Sequence, residues 1–467
     1  MNTKNLKLEK IEDFFKEKIK LNPNNLEANF NLARIYKEKG EHKKAKLLYE
    51  RVIKIEPKNS SAYNNLANIY KRTGEFNKAI KLYKKVILIN PAHVNAHFNL
   101  GNTLNQVGHF TKAIKEFKKV FELQPLNLEN LYIWSDLDPK ILNLNFKKKI
   151  IFLMSNEKIL KKDLAYGNFL LAKYEYKNKN FEKELKYFLK AHKNYYEEKR
   201  LFFDKATNYW LDYLPNNKDL LEIEMPEIEN EIKPIFIIGI PRCGSTIVEK
   251  VIASGKRYLP IGEECGVISS TVGELILTQK SLKKNISILK NEIDKKYKNL
   301  NLIKQNRNTV FTDKTLENFF FLPLIKIIYP NAKVINCRRN AVSSVISIIK
   351  NNLTEVPWAH NLDNIFSYMD IYYKKIDLYK KKYPNFIYDL NFENFQNNPE
   401  KEARKVMKFC ELDWDKKCLK FYKRTDLISF TSSHRQIRKP IYKPTMDRQQ
   451  AYRNLLYKYE KKYNWFK

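Results

Sequence analysis

The chain has 467 residues, of which 43% are hydrophobic and 30% are charged. This length suffices for two or three domains with buried cores, and the composition excludes a disordered chain, a collagen-like chain and a small disulfide scaffold. The formal net charge of +35 first suggests a polyanionic partner such as nucleic acid. However, 72 Lys outnumber 15 Arg, and specific nucleic-acid sites depend on Arg. The composition therefore favours a solvated basic surface, and we expect no nucleic-acid partner.

The cysteines and the N-terminus indicate the compartment. Cys243, Cys265, Cys337, Cys410 and Cys418 are odd in number and lack the spacing of metal ligands, which disfavours a disulfide framework and a zinc site. The first residues contain no apolar signal segment, and no stretch approaches the ~18 apolar residues of a membrane span. We expect a cytoplasmic protein with no transmembrane segment.

A 34-residue repeat fills the first third of the chain. The recurring positions are Gly40, Gly74 and Gly108; Pro57, Pro91 and Pro125; Ala45, Ala79 and Ala113; Leu32, Leu66 and Leu100; and Tyr49, Tyr83 and Phe117. Within each copy, apolar residues at helical spacing precede and follow the glycine, which predicts two helices joined by a turn and ended by the proline. The pattern resembles the tetratricopeptide repeat, whose helix pairs stack into a solenoid.

The repeat pattern sets the first domain boundary. We predict an all-α solenoid over residues 1–211, with clear repeats at 26–125, a partial capping unit before them and a degenerate helix pair at about 163–198. The resemblance implies that this solenoid binds a peptide or protein. Residues 212–233 are acidic and contain prolines, which is typical of a linker.

The pattern changes after the linker. The segments 234–240 (PIFIIGI), 333–339 (KVINCRR) and 385–390 (NFIYDL) read as buried strands, and they alternate with helical stretches. Alternation of this kind predicts an α/β domain with a mostly parallel sheet, which we place at residues 234–467.

The segment G-I-P-R-C-G-S-T (239–246) follows the first strand and opens a helix. Gly239 and Gly244 have the spacing of a nucleotide phosphate loop, but Ser245 occupies the position of its lysine, which argues against ATP or GTP hydrolysis. The segment still suits an anion, because backbone N–H groups at a helix N-terminus lie close to the Ser245 and Thr246 hydroxyls and to Arg242.

These residues resemble the 5′-phosphosulfate loop of sulfotransferases that use 3′-phosphoadenosine 5′-phosphosulfate (PAPS). In that family an Arg at a strand end and a Ser eight residues later hold the 3′-phosphate of PAPS, and Arg339 and Ser347 have that spacing. Asn340 and Ala341 depart from the family's Arg-Asp-Pro pattern, which is expected to loosen the turn. The whole layout is similar to that of bacterial repeat-containing sulfotransferases related to tyrosylprotein sulfotransferases, with a P-loop-like transferase domain.

The resemblance implies roles for individual residues. The second Glu of a Gly-Glu-Glu segment is the base in tyrosylprotein sulfotransferases, which favours Glu264, whereas other repeat-containing members favour Glu263. Lys314 would stabilise the bridging oxygen, Arg242 the transferring sulfonate, and Ser433 the transition state. The implied cofactor-binding residues are Arg242, Cys243, Gly244, Ser245, Thr246, Arg339, Ser347, Gln436, Lys439 and Arg448. The family's Tyr near position 392 is Phe392, and no metal is implied.

Three functions remain open at this stage. The first is transfer of a sulfuryl group from PAPS to a protein or peptide hydroxyl, with a tyrosine favoured. The second keeps the chemistry and moves it to a glycan or a small molecule, because a Lys-rich surface attracts anionic glycans. The third is a repeat scaffold with an inactive sulfotransferase-like domain, suggested by the departures at Asn340, Ala341 and Phe392.

Overall fold

A computed structural model describes residues 3–278, 280–303, 309–424, 426–427, 436–441 and 449–466, with side chains from residue 9 onward. The chain divides into two compact units, Met1–Ile159 and Leu160–Lys467. No helix in the described part of the chain is both long and apolar enough to cross a bilayer.

The first unit consists of helix pairs. Its helices are α1 (Thr3–Leu21), α2 (Leu26–Glu38), α3 (His42–Ile55), α4 (Ser60–Arg72), α5 (Phe76–Ile89), α6 (Val94–Gln106), α7 (Phe110–Leu123), α8 (Leu128–Leu137) and α9 (Leu144–Met154). Helix α2 packs on α3, α4 on α5 and α6 on α7. The glycine that joins each pair has a positive φ, 77° at Gly40, 78° at Gly74 and 89° at Gly108, a conformation that strains residues with a Cβ atom. The predicted helical solenoid is confirmed.

The repeat interval also governs the ends and the core of these helices. The side chains of Asn25, Asn59, His93 and Asn127, each 34 residues after the last, accept a backbone N–H from the first turn of α2, α4, α6 and α8. Such N-caps satisfy donors that the helix itself leaves without partners. In the third repeat, a Cβ on Gly101 would lie 2.7 Å from the Phe117 ring, so the small residue permits close packing.

The second unit begins with helices and not with the sheet. These are α10 (Lys161–Lys177), α11 (Phe181–Glu198), α12 (Arg200–Asn208) and the short α13 (Lys218–Leu221). The pair expected at 163–198 forms as α10 and α11, but it lies in the unit of the sheet, whereas the sequence placed it with the solenoid. A physical reason is the buried His192 of α11, which bonds the Ile349 carbonyl at 2.7 Å and the His360 ring at 3.0 Å.

Four parallel strands form the centre of the second unit, in the order β2-β1-β3-β4. The strands are β1 (Lys233–Gly239), β2 (Val310–Asp313), β3 (Lys333–Arg338) and β4 (Ile387–Asn391). The surrounding helices are α14 (Ser245–Ile252), α15 (Val267–Leu277), α16 (Ile286–Asn299), α17 (Leu322–Ile328), α18 (Ala341–Ile349), α19 (Leu362–Lys382), α20 (Phe392–Asn397), α21 (Pro399–Phe409), α22 (Gln449–Leu455) and α23 (Tyr457–Lys462). The predicted parallel α/β domain is confirmed.

Strand β1 lies between β2 and β3, and its residues are buried apart from Lys233. Because β1 connects to β2 on one side and β3 connects to β4 on the other, the loops after β1 and β3 leave the same edge of the sheet in opposite directions. Ligands of open α/β sheets bind at such a point. The site therefore lies at the carboxyl ends of these strands.

Candidate active site

The loop after β1 has the backbone of an anion cradle. Gly239, Arg242 and Gly244 all have positive φ, at 155°, 73° and 96°. Ser245 and Thr246 begin α14 and are 95% buried. The Ile247 N–H bonds the Gly244 carbonyl at 3.0 Å. The positive end of the helix and the two hydroxyls nevertheless suit a bound oxyanion.

Close packing explains both glycines of the loop. A Cβ on Gly244 would lie 2.2 Å from the Phe392 ring, so only a glycine fits between the loop and α20. A Cβ on Gly239 would lie 2.7 Å from both the Cys243 sulfur and the Cys337 carbonyl oxygen. The interaction with Cys337 lowers the pKa of the buried Cys243 thiol. Cys243 and Phe392 thus act as packing partners of the loop in this structure.

Arg339 connects the loop after β1 with the loop after β3. Its Nη1 donates a hydrogen bond to the Arg242 carbonyl oxygen at 3.0 Å. Asn340 is the N-cap of α18, and its side-chain oxygen accepts the Ser343 N–H at 3.0 Å. The side chain of Asn340 thus caps α18, although Asn340 and Ala341 depart from the family's pattern.

The remaining predicted cofactor residues are distributed over two elements. Ser347 lies on α18 and is buried. Gln436 and Lys439 belong to the segment 436–441, whose Ile437 packs into the apolar cluster around α14. Ser433 and Arg448 lie outside the residues that the structure describes.

The Gly-Glu-Glu segment runs alongside the free edge of β2. Gly262 donates its N–H to the Thr312 carbonyl at 2.8 Å, and a Cβ on Gly262 would lie 2.4 Å from that oxygen. Glu263 follows with φ of 50°, and its carbonyl accepts the Lys314 N–H at 2.8 Å. The segment is thus hydrogen-bonded to β2 and to Lys314 up to the residue before Glu264.

Glu264 and Lys314 form an ion pair at this edge of the sheet. Lys314 Nζ lies 2.6 Å from Glu264 Oε1, and the lysine side chain is fully buried whereas half of the glutamate side chain is exposed. Burial alone would lower the pKa of Lys314, but the carboxylates of Glu264 and its neighbours outweigh it and raise that pKa. Asp313, the residue before Lys314, pairs with Phe236 of the parallel strand β1, so the ion pair lies at the same end of the sheet as the loop after β1.

Glu263 has a different environment. It is 92% buried and forms an ion pair with Lys250, which is itself fully buried. Burial raises the pKa of the Glu263 carboxyl, while the Lys250 ammonium opposes that rise. Of the two glutamates, only Glu264 combines an exposed carboxylate with contact to Lys314.

Sequence reasoning missed two charged residues of this region, Glu249 and Lys250 of α14. Both are fully buried, and Lys250 Nζ lies 3.2 Å from Glu249 Oε2. A signal was present, because the pair interrupts the otherwise apolar run I-V-E-K-V-I, where charged side chains need partners.

Asp313 holds the turn that carries Lys314. Its carboxylate accepts the Tyr297 hydroxyl at 2.6 Å, the Cys265 thiol at 3.3 Å and the Thr315 N–H at 2.9 Å. The nearby Glu317 is half-buried, and desolvation raises its pKa to about 7. The carboxyl end of β2 therefore presents a lysine among several carboxyl groups.

A cavity of about 470 Å³ opens at the carboxyl ends of β3 and β4. Its lining residues are Arg338, Arg339, Asn340, Ala341, Val342, Tyr373, Asp389, Asn391, Arg453, Trp465 and Phe466. This volume is in the range of small-molecule and cofactor sites, and three arginines with two indole or phenol rings suit an anionic ligand that carries an aromatic group.

Comparisons with known proteins agree with this arrangement. Residues 234–416 match the model of the sulfotransferase family, and residues 14–46, 60–93 and 82–115 match models of the tetratricopeptide repeat, as does the segment 33–74. Residues 234–416 are thus similar to the sulfotransferase family, and parts of the first unit are similar to tetratricopeptide repeats.

An uncharacterized protein of Aquifex aeolicus is 25% identical over 327 residues, which are 65% of this chain and 42% of that protein. The chain thus spans less than half the length of this curated relative. Among solved structures, MamA is 20% identical with a TM-score of 0.25 over 40% of this chain and 86% of its own. YrrB, a TPR protein with an unusual peptide-binding site, is 16% identical with a TM-score of 0.31 over 38% of this chain and 91% of its own. Scores this low add nothing on function.

Proposed function

We propose that this protein transfers a sulfuryl group from PAPS to an acceptor hydroxyl, most favourably that of a peptide tyrosine. The observation that carries the proposal is the ion pair of buried Lys314 with half-exposed Glu264, 2.6 Å apart and at the same end of the sheet as the loop after β1. Such transfer needs a base for the acceptor proton and a cation where charge develops on the leaving oxygen.

The two ends of PAPS would meet two connected parts of the site. The loop 239–246, with its three positive φ angles and its helix N-terminus, suits the 5′-phosphosulfate. Arg339 lines the 470 Å³ cavity and bonds the Arg242 carbonyl, so a ligand held by Arg339 would lie next to the loop. Arg339 would hold the nucleotide with its 3′-phosphate, together with Ser347, Gln436 and Lys439. Arg448, which lies outside the described residues, would contribute to the same contact.

The residues of this chain would then have separate tasks. PAPS, when bound, supplies the sulfuryl group and the phosphate that leaves. Glu264 would accept the proton of the acceptor hydroxyl, because its carboxylate is exposed whereas Glu263 is enclosed by Lys250. Lys314 and Arg242 would stabilise developing negative charge, and Ser433 would add a hydroxyl donor. In-line positioning and charge stabilisation would supply most of the rate.

Two observations favour a peptide acceptor over the alternatives. The Gly-Glu-Glu segment matches the tyrosylprotein pattern, and a repeat unit of the kind found here is suited to peptides. The net charge of +35 favours instead an anionic glycan as the acceptor. The inactive scaffold has less support, because Asn340 caps α18 and Phe392 packs against the loop in place of a strained or open site.

The test is transfer from labelled PAPS to a panel of tyrosine peptides, desulfated glycans and small phenols. We expect label on tyrosine peptides, and transfer to sugars alone would contradict the acceptor assignment. Absence of transfer to every acceptor would contradict the activity.

A separate titration with 3′-phosphoadenosine 5′-phosphate would test the binding site. We expect binding that Arg242→Ala and Arg339→Ala each weaken by 10-fold or more, on the order of 1.4 kcal/mol per factor of ten. Arg404→Ala is the matched control, because Arg404 is half-exposed and paired with Glu400 on α21. Undiminished binding in both site variants would show that the loop has another purpose.

A further inference from the structure

The buried pair Glu249–Lys250 lies between the loop after β1 and the Gly-Glu-Glu segment. Both residues are on α14, about one turn beyond Ser245 and Thr246, with which the helix begins. Both side chains are fully buried, as is Thr312 of β2 beside them. Charged residues in such positions are kept only where they have specific partners.

Glu249 makes two hydrogen bonds that cross from α14 to other elements. Its Oε1 accepts the backbone N–H of Glu263 at 3.1 Å and the hydroxyl of Thr312 at 2.9 Å. One carboxylate oxygen therefore joins α14 to the edge strand β2 and to the segment that precedes Glu264. Such charge-assisted hydrogen bonds are stronger than neutral ones.

Lys250 holds the side chain of the same residue. Its Nζ donates to Glu263 Oε1, and it also contacts Glu249 at 3.2 Å. With the Glu263 carbonyl bonded to the Lys314 N–H at 2.8 Å, the donor, the acceptor and the side chain of Glu263 are all fixed. These bonds explain how a non-glycine residue keeps φ at 50°.

We propose that Glu249 and Lys250 are positioning residues, which act through Glu263 to place Glu264 against Lys314. The inference rests on the proposed function, in which those two residues act on the acceptor and the leaving group. Glu264 follows Glu263 directly, and Lys314 is the residue whose N–H the Glu263 carbonyl accepts. A shift of the Glu263 backbone would thus change both sides of the 2.6 Å contact at once.

The same cluster would link the base to the donor site. Helix α14 carries the two hydroxyls of the anion loop at its start and the two positioning residues one turn later. The loop and the base would therefore be held by one rigid element. A side chain misplaced by about 1 Å costs on the order of 100-fold in rate.

The experiment combines kinetics with amide hydrogen exchange on the full-length protein. In Glu249→Ala and Lys250→Met we expect kcat to fall by about 100-fold, while KM for PAPS changes by less than about threefold. Exchange of a peptide that contains residues 259–266 should rise at least 10-fold. Glu249→Gln keeps an oxygen acceptor for the Glu263 N–H, so it should recover part of the lost kcat and protection.

Exposed residues of the same types serve as controls. Lys256→Met removes a lysine that is 71% exposed and pairs only with exposed Asp413 among the described contacts, and Glu274→Gln removes an exposed charge of α15. Both should match the wild type. If Lys250→Met fails to fold, the double variant Lys250→Met/Glu263→Gln removes both charges of the Lys250–Glu263 ion pair. This double variant should restore the fold but not kcat.

The outcomes separate this inference from the proposed function. Wild-type kcat and exchange in Glu249→Ala would overturn the inference, and so would a loss of kcat with unchanged exchange at 259–266. A wild-type protein that transfers no sulfuryl group contradicts the proposed function, and the exchange measurements still decide whether Glu249 and Lys250 hold the segment.

Discussion

Lys314 Nζ and Glu264 Oε1 are 2.6 Å apart, although the two residues are 50 positions apart in sequence. The lysine follows β2 and is fully buried, while the glutamate extends from the segment beside that strand and is half-exposed. In the proposed function, the Lys314 ammonium would exchange the Glu264 carboxylate for another anion. A bound anion offsets part of the cost of burying this charge.

Lys314→Met tests this exchange. We expect sulfuryl transfer to fall by at least 100-fold, because the charge that stabilises the leaving oxygen is removed. Binding of 3′-phosphoadenosine 5′-phosphate should change by less than about 10-fold, because Arg242 and Arg339 are intact. Glu264 keeps its solvent contact, so folding should survive. Lys333→Met, at a partly exposed lysine of β3 paired with Glu411, is the control and should retain activity.

Gly244→Ala should damage the loop through two separate effects. The alanine Cβ would lie 2.2 Å from the Phe392 ring, and φ is 96°. We expect a loss of about 2–4 kcal/mol in the free energy of unfolding by urea, with weaker binding of the nucleotide. Gly40→Ala, at φ of 77° with nothing within 4 Å of the new Cβ, isolates the backbone strain and should cost only about 1 kcal/mol.

A second variant separates the steric part. In the double variant Gly244→Ala/Phe392→Ala the clash is absent, so the two substitutions should be markedly less harmful together than the sum of their separate effects. A strictly additive result would show that the Phe392 ring can move aside.

The contact of His192 with His360 predicts a pH-dependent stability of the second unit. Their Nδ1 atoms are 3.0 Å apart, stacked Tyr195 and Phe203 enclose the His360 ring, and Lys199 adds a nearby positive charge. Burial lowers the pKa of His192 to about 4 and that of His360 to about 3. Protonation would place two N–H donors against each other.

The sign follows from these depressed values. Below the ordinary histidine pKa of about 6.5, the unfolded chain binds protons that the folded unit does not bind. The free energy of unfolding of the second unit therefore falls as the pH decreases from about 6.5 toward 4. We expect a loss on the order of 2–4 kcal/mol between pH 7.5 and 5 in urea unfolding. The variant His360→Phe should be less sensitive over this range. An identical slope in the variant and the wild type would contradict the assignment.

The N-cap residue of each repeat should contribute to the stability of the first unit. Asn59 accepts the Ala62 N–H at 2.8 Å, and Asn59→Ala should lower the stability of the first unit by about 1 kcal/mol, because that donor loses its acceptor. Asn77→Ala, at an exposed position of α5, is the control and should be neutral. Thermal unfolding followed by circular dichroism, with Asn127→Ala as a second cap variant, checks the prediction.

Much of the fold could be predicted from local sequence patterns. Periodic residues such as Gly74 and Tyr83 determine helix pairs because each position repeats the same local geometry, and the apolar run of β1 requires burial on both faces. The loop after β1 could be predicted too, because a strand, two glycines and a helix start follow one another in one segment. The sequence did not predict that α10 and α11 belong to the unit of the sheet, nor that Glu263 is buried against Lys250. Both features depend on contacts between distant segments.

The charged residues show the same difference between features set by local sequence and features set by distant contacts. Local sequence patterns were enough to predict the 34-residue helix pairs, the parallel α/β domain and the glycine-containing loop after β1, because periodicity, burial and turn chemistry act over a few residues. The three-dimensional structure was needed to show which charged residues lie together at the candidate site. It buried Glu249 and Lys250 and paired Lys314 with Glu264 and Lys250 with Glu263. The physical reason is that an ion pair gains its strength from the low dielectric around it, and that environment exists only once distant segments have packed.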